Sequence, residues 1–333
     1  MRAIQIAELT GPERALRYVE LPEPEPVHPL SQNGEPAVVI DVHAAGVSFP
    51  EVLQTRGEYQ FRPPLPFVPG SEVGGIVRSA PPNGGVQPGD RVAAFTALGA
   101  FAETAVAPAF FTFKLPEQLD FAQGAGLVLN YHTAYFALKT RGRLTEGETV
   151  LVHGAAGGVG TAALQVARGL GARTIAVVSS EAKARVAQEA GADHVVRSDG
   201  AWKDEARDLS GGGVDLVLDP VGGERFTDSL RSLREGGRVV VVGFTGGSIP
   251  EVRVNRLLLA NNEVTGAGWG AWAMGKPDYV RSVGAALERL TERGYVSPLV
   301  GARFAFDDAA SALHCIDSRQ ATGKVVLDVR EAG

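Results

Sequence analysis

The sequence predicts an α/β protein in which a doubly wound parallel sheet, with helices on both faces, is inserted in a β-rich partner built from the two ends of the chain. Three observations predict it. Apolar runs alternate with helical stretches from residue 121 onward, short valine-rich runs bounded by Pro, Gly and Asn fill residues 1–120, and one apolar strand runs directly into a glycine-rich turn and a helix. Glycine punctuates this pattern at 42 of 333 residues, against a usual share of about 7%.

The chain opens on a short alternating strand within MRAIQIAELTGPER (1–14). AVVIDVHAA (37–45), EVGGIVRSA (72–80), DRVAAFT (90–96) and ETAVA (103–107) read as further strands, each short, valine-rich and bounded by turn formers. The four prolines of RPPLPFVPG (62–70) fix an extended loop, because each removes a donor and biases its predecessor away from helix. Beyond them, TVLVHG (149–154), RTIAVVS (173–179), DHVV (193–196), VDLVLD (214–219) and GRVVVVG (237–243) are continuous apolar runs. Such runs mark strands buried on both faces of a parallel sheet. TAALQVARGL (161–170) and SEAKARVAQEAG (180–191) supply helices among them, and PDYVRSVGAALERLTERG (277–294) a longer one. A short strand at Phe304–Phe306, a helix opening at Asp307 and Asp308, and a last strand KVVLDV (324–329) close the chain. The tail is expected to return to the first unit, giving one domain of 1–120 plus 269–333 around another of 121–268.

With 32 Lys+Arg against 38 Asp+Glu the net charge is −6, while 44% of residues are apolar and 21% charged. Such a chain has ample apolar surface for packed cores. It lacks the concentrated Lys/Arg that a nucleic-acid backbone or an anionic membrane surface requires, so neither is an expected partner. Cys315 is the single cysteine, which excludes an intrachain disulfide and multi-cysteine metal sites and suits a reducing compartment. The first residues lack the apolar core of a signal peptide, with Glu8 arriving early, so cytoplasmic residence is expected. Thr149–Ala167 runs 19 residues without a charge, a length that suits a membrane span. Gly154, Gly157, Gly158 and Gly160, with His153 and Gln165, argue against one.

TVLVHG runs into AAGGVG (155–160) and then into TAALQVARGL. Small residues permit a tight turn, and the backbone of Ala156, Gly157, Gly158, Val159 and Gly160 at a helix start suits a pyrophosphate. Ala155 holds the place of the first glycine in the strict GxGxxG pattern, while Gly157 and Gly160 hold the second and third. Plain strand-to-helix packing is the competing reading. An NAD site places Asp or Glu at the end of the second strand, about 20 residues on. Here Ser179, Ser180 and then Lys183 stand there. Two hydroxyls and an ammonium favour the 2′-phosphate of NADP(H). Against this, Glu181 would interfere if it turned inward, and Lys183 also reads as a solvated helix cation.

With these residues in hand, the chain resembles the zinc-independent quinone oxidoreductase branch of the medium-chain dehydrogenase/reductase superfamily, and the likeness covers essentially all 333 residues. It is carried by GVSFPEVLQTRGEY (46–59), PPLPFVPGSEVGGIV (63–77), PGDRV (88–92), GAFAETAVAP (99–108), AAGGVG, DPVGG (219–223) and TGKVVLDV (322–329). The resemblance implies a GroES-like catalytic domain, a central Rossmann domain, a cleft between them for NADP(H) and a small-molecule acceptor, and a homodimer. Alcohol dehydrogenases of the superfamily carry a GHE motif and a catalytic Cys. The matching stretches here read Gly70, Ser71, Glu72 and AAGVS (44–48), without a thiol, and the Cys-rich zinc lobe is missing. None of His28, His43, His132, His153, His194 and His314 forms an i, i+4 pair, so no metal site is expected.

The activity this implies is hydride transfer from NADPH to a quinone or related conjugated carbonyl that is positioned rather than metal-activated. Where the family's cleft commonly has an Asn and an acidic residue, this chain has Ser48 and Glu51. Tyr59 matches the family's tyrosine, either as the acid that protonates an enolate or as a wall stacked on the substrate. NYHTAYFAL (130–138) resembles the segment that opens onto the nicotinamide, with Thr133 at the carboxamide or ribose and Asn130 and Tyr131 lining the cleft. Tyr131 and Tyr135, at helical spacing, read equally as core aromatics. Val242, Gly243 and Phe244 follow a parallel strand and are expected to border the nicotinamide. Arg319 and Lys324 match late cationic positions that reach cofactor phosphates, or are ordinary surface charges. VTGAGWGAW (264–272) is a candidate dimer-forming edge strand. No GxSxG, HExxH or Walker A pattern is present. Two rivals stay open: a reductase of the C=C bond of an enoyl thioester or alkenal, with Tyr59 as acid, and an NADPH-binding sensor or structural protein without turnover.

Overall fold

The computed structural model describes residues 1–31 and 37–330. Its first strands are β1 (Arg2–Ile6), β2 (Leu16–Glu20), β3 (Val38–Val47), β4 (Glu72–Ser79), β5 (Arg91–Phe95), β6 (Thr104–Ala107) and β7 (Thr112–Lys114). Then come β8 (Thr149–His153), β9 (Arg173–Val178), β10 (His194–Arg197), β11 (Val214–Asp219), β12 (Leu233–Val241) and β13 (Glu263–Gly266). β14 (Val300–Ala305) and β15 (Lys324–Asp328) are the last.

The middle six strands form one sheet in the order β10-β9-β8-β11-β12-β13, every pair parallel. Parallel neighbours need crossover connections, and the helices Gly158–Gly169, Glu181–Glu189, Trp202–Leu209 and Phe226–Ser232 provide them from β8 through to β12. Winding reverses between β8 and β11, and sheets of this kind bind ligands at the strand C-terminal ends beside that reversal. Val150, Leu151 and Val152 of β8 are 0% exposed, each side chain contributing about 1.5–3 kcal/mol by burial. Leu151, Ile175, Val177, Trp202, Phe226 and Val239 share one core.

The mixed sheet of seven strands runs β14-β15-β3-β4-β5-β7, with β6 against β3. Its central strand, β3, pairs antiparallel with β15, β4 and β6, so the chain's last strand lies against one of its first. Ile4, Ile40, Val73, Phe101, Leu313 and Leu327 belong to its core. β1 and β2 pair separately.

The chain divides into two compact units: Met1–Leu129 with Ala273–Gly284 and Pro298–Gly333, and Asn130–Trp272 with Ala285–Ser297. The first break falls after Leu129 rather than at Asp120, and the Phe121–Gly124 helix packs on β4. There a Cβ on Gly74 would sit 2.9 Å from the Phe121 carbonyl carbon. Residues 285–297 go with the second unit because Gln165 holds both the N–H and the carbonyl of Ser297, at 2.9 and 2.8 Å. Two local expectations change. The strand placed at Phe304–Phe306 is Val300–Ala305, and Phe306 starts a short 3-10 turn instead. Within 264–272 only Gly266 and its predecessors extend the edge strand β13, and Trp269–Ala273 is helical. Among the described residues no helix is long and apolar enough to cross a membrane.

Candidate active site

In the second unit β8 delivers the chain into its glycine turn. Gly154 takes φ +57, the left-handed region that strains other residues, so the glycine this turn demands stands one place before Ala155. The turn closes by Gly157 N–H donating to Gly154 O at 3.0 Å, and the helix ladder begins with Thr161 N–H on Gly157 O at 2.9 Å. Ahead of that ladder the N–H groups of Gly158, Val159 and Gly160 have no helical acceptor, as at any helix start. A Cβ on Gly158 would lie 2.6 Å from Asn130 Nδ2, and one on Gly160 would lie 2.7 Å from Ala155 Cα. Close approach of the strand backbone therefore excludes a side chain at Gly160, a side chain at Gly158 would have to push the Asn130 amide aside, and Gly157 meets only a carbonyl at 3.4 Å. A pyrophosphate fits this arrangement of open backbone donors.

At the end of β9, Ser179 is exposed and Ser180 caps the next helix by accepting Lys183 N–H at 3.2 Å. Arg197, at the end of β10, is in register with Val178. Its guanidinium donates to Ser179 O at 3.0 Å and pairs with Asp199 at 3.1 Å, while its Nε is buried without an acceptor. Glu181 is exposed. Arg197 escapes a motif reading; the available signal was that parallel pairing sets the end of DHVV-R beside the end of β9.

At the ends of β11 and β12 two loops zip together. Asp219 Oδ1 accepts the N–H groups of Val221 and Gly222 at 2.8 and 2.9 Å. Val242 N–H donates to Asp219 O at 2.9 Å, and Thr245 N–H to Pro220 O at 3.1 Å. Val242 and Gly243 are half-buried and Phe244 is exposed. Asn130 and Thr133 are buried in the same unit.

In the first unit a buried polar chain links four elements. The Phe49–Gln54 helix places Glu51 at its third position, where one carboxylate oxygen accepts Ser48 N–H at 2.8 Å and the other accepts the Ser71 hydroxyl. Next to Ser71, Glu72 pairs with the Lys324 ammonium and accepts Leu129 N–H at 2.9 Å. Lys324 Nζ also donates to Ser48 Oγ at 2.7 Å. Glu51 and Glu72 are 0% exposed and Lys324 3%. Burial holds the Glu51 carboxyl above the ordinary range, against the opposing pull of the Ser71 hydroxyl and of Lys324. Tyr59 is half-buried, and burial plus the Glu51 charge raise its phenol above its usual value.

Residues 34–117 match the alcohol dehydrogenase GroES-like domain, and residues 158–287 match the zinc-binding dehydrogenase family. The rat (Rattus norvegicus) quinone oxidoreductase is 35% identical over 334 residues, covering 98% of this chain and 97% of that protein. The chain belongs to the zinc-independent quinone oxidoreductase family of the medium-chain dehydrogenases/reductases. The bovine (Bos taurus) quinone oxidoreductase-like protein 2 is 37% identical, over 99% of this chain and 93% of that one. The quinone oxidoreductase of Thermus thermophilus, solved alone and with NADPH, superposes with a TM-score of 0.79 at 33% identity, covering 99% of this chain and 100% of that one. As in that family, the sheet is the doubly wound Rossmann type and the first unit is GroES-like.

Although one matching family is described as zinc-binding, the donor set here does not suit zinc. The Ser71 hydroxyl is taken by Glu51, and Lys324 supplies the positive charge between Ser48 and Glu72. Among the described residues no three His, Cys, Asp or Glu side chains form a metal-sized group. Two expected site residues are relocated. Lys324 is no phosphate-reaching cation, because its ammonium is buried on Glu72 and Ser48. Tyr131 is a core aromatic: it is 2% exposed, its hydroxyl donates to Gln165 at 2.7 Å, and burial drives its proton affinity far up. Arg319 is exposed, with φ +59, after the Ala309–Asp317 helix.

Proposed function

We propose that this chain reduces quinones or related conjugated carbonyls with NADPH, without a metal. The observation that carries the reading is the end of β9. Ser179, Ser180, Lys183 and Arg197 gather there, Glu181 is exposed and the Asp199 carboxylate is taken up by Arg197. Hydroxyls and cations of this kind favour a 2′-phosphate over a bare ribose. The NADPH complex of the Thermus relative supports the same choice.

In this reading the first-turn N–H groups of Gly158–Gly160 hold the pyrophosphate. Asn130 and Thr133 orient the nicotinamide end, with Val242, Gly243 and Phe244 as its border. NADPH, when bound, supplies the hydride. The protein's residues hold the acceptor in place and keep a proton donor near the oxygen that becomes charged. Burial and Glu51 keep the Tyr59 phenol protonated, so Tyr59 has a proton to donate, as a wall residue that hydrogen-bonds the acceptor or as the acid, and Tyr59→Phe turnover with quinones against enones separates the two. A homodimer goes with the reading, supported by the edge strand β13 and by Val254, Leu258 and Leu259, which are 72–80% exposed. So does a reducing, cytoplasmic setting, which rests on the single cysteine.

The test is NADPH consumption over a panel of quinones and enones. Quinone turnover is expected. Turnover confined to enones would transfer the chain to C=C reduction, and tight NADPH binding with no turnover would leave a sensor or structural role.

A further inference from the structure

Asp219, the last residue of β11, has one carboxylate oxygen engaged and the other not. Oδ1 accepts the N–H groups of Val221 and Gly222 at 2.8 and 2.9 Å, which fixes the loop. Oδ2 is buried without a partner among the described residues, and the whole residue is 0% exposed. An amide would hold the same two N–H groups without taking a charge out of water, so the loop alone does not account for a carboxylate here. Leu218 pairs with Val152 in parallel register, which sets His153 beside Asp219 where the winding reverses. His153 is no counter-ion. Its Nε2 hydrogen-bonds Ser229 Oγ at 2.8 Å, its Nδ1 is buried without a partner, and burial lowers its proton affinity against the pull of Asp219. Trp202 and Ser229 face it from the helices on that side, and the half-buried Arg225 is the cation whose charge reaches it. Val242 N–H donates to the Asp219 carbonyl oxygen at 2.9 Å, and a Cβ on Gly222 would lie 3.0 Å from Phe244 Cδ1. Asp219 thus stands at the root of both loops at the ends of β11 and β12.

We propose that Asp219 tunes the bound cofactor: its charge favours the cationic nicotinamide of NADP⁺ over the neutral ring of NADPH, and so strengthens NADPH as a hydride donor. The proposal rests on the reductase reading above, in which Val242, Gly243 and Phe244 border that ring. Hydride transfer carries one hydrogen nucleus and two electrons from the ring to the acceptor, so the acceptor gains a negative charge and the ring is left positive. A fixed charge in surroundings of low dielectric acts on a developing charge over several ångströms without contact. Asp219 acts across the loops it holds and is therefore a positioning residue, not a catalytic one.

The experiment measures Kd by isothermal titration calorimetry on the full chain with three probes: NADP⁺, NADPH, and 2′-phospho-ADP-ribose, which has the phosphates without the nicotinamide. Asp219→Asn keeps an oxygen for the Val221 and Gly222 N–H groups and removes the charge. It is expected to weaken NADP⁺ relative to NADPH by about tenfold, the effect a unit charge exerts over about 12 Å at an effective dielectric of 20, with 2′-phospho-ADP-ribose following NADPH. A merely structural carboxylate would shift all three probes together. An unmoved ratio of NADP⁺ to NADPH affinity, whether all three weaken or none does, overturns the proposal and leaves the reductase reading intact. Should Asp219→Asn not fold, Arg225→Gln reads the same field with the opposite sign: it is expected to tighten NADP⁺ relative to NADPH by about twofold, and an unmoved ratio again overturns the proposal. An unmodified chain that binds none of the three probes overturns the reductase reading and the proposal with it, and is recognised because the failure is in the unmodified protein.

Discussion

Lys324→Met breaks one of the most enclosed ion pairs in the molecule, and its cost follows from the surroundings. The side chains of Lys324 and Glu72 are 3% and 0% exposed, so the carboxylate left behind is out of reach of water and keeps Leu129 N–H as its donor. A contact pair is worth about 4 kcal/mol at an effective dielectric of 20, and breaking buried pairs from one side costs about 3–5 kcal/mol. At a few degrees per kcal/mol for domains of this size, the midpoint falls by about 10 °C. Neutralising the orphan by combining Lys324→Met with Glu72→Gln, which keeps an acceptor for Leu129 N–H, restores most of the loss. Differential scanning calorimetry at pH 7 reads all of this. Glu263→Gln, which breaks a pair to Arg143 whose side chains are 57% and 52% exposed, serves as the contrast and changes stability by less than about 1 kcal/mol. A Lys324→Met midpoint within 2 °C of wild type, or a double variant no better than the single one, would refute the view of this pair as a buried unit whose halves cannot stand alone.

Four further outcomes are expected from the same structure. Arg197→Ala raises the KM for NADPH by about tenfold or more, since a charged hydrogen bond contributes about 1.5–3 kcal/mol, and leaves NADH kinetics unchanged; equal effects on both would remove Arg197 from the 2′-phosphate. Tyr59→Phe keeps kcat with quinones within about fivefold, whereas a loss of about 100-fold or more would make the phenol a general acid. Burial pushes His153 down to about 4, outweighing Asp219 and aided by Arg225. Its folded pKa lies below the ordinary 6.5, so this contribution is fully present above pH 6.5 and about 3 kcal/mol is lost as pH falls toward 4. Urea unfolding at stepped pH reads that slope, which His153→Gln flattens. Leu258→Glu with Leu259→Glu yields a monomer by sedimentation if the exposed apolar face near β13 joins two copies; an unchanged sedimentation coefficient with the wild type already monomeric contradicts it.

The parallel sheet was legible because VLV of β8 and VDLVLD of β11 are buried on both sides, and burial on both sides leaves no alternation to misread. The glycine turn was legible too, although the demand for a left-handed residue falls on Gly154 rather than at Ala155. Lys324 was misread because it stands after Gly323 like any surface cation, while the partner that buries it lies 252 residues away in sequence. Tyr131 and Tyr135 looked alike at helical spacing, and burial together with the Gln165 side chain, 34 residues on, distinguishes the core phenol. Arg197 belongs to no motif; it reaches the end of β9 because β10 lies in register beside it. Local pattern reports which faces are buried, and long-range pairing decides which charges meet.

The reductase reading is tested most directly by kcat/KM for NADPH and NADH with one quinone acceptor, measured on the unmodified chain and on Gly158→Ala. NADPH should be preferred by at least tenfold, and a methyl group that would sit 2.6 Å from Asn130 Nδ2, displacing that amide beside the open N–H groups, should raise the KM for the cofactor. Indifference between the two dinucleotides, or an unchanged cofactor KM in Gly158→Ala, would contradict the account.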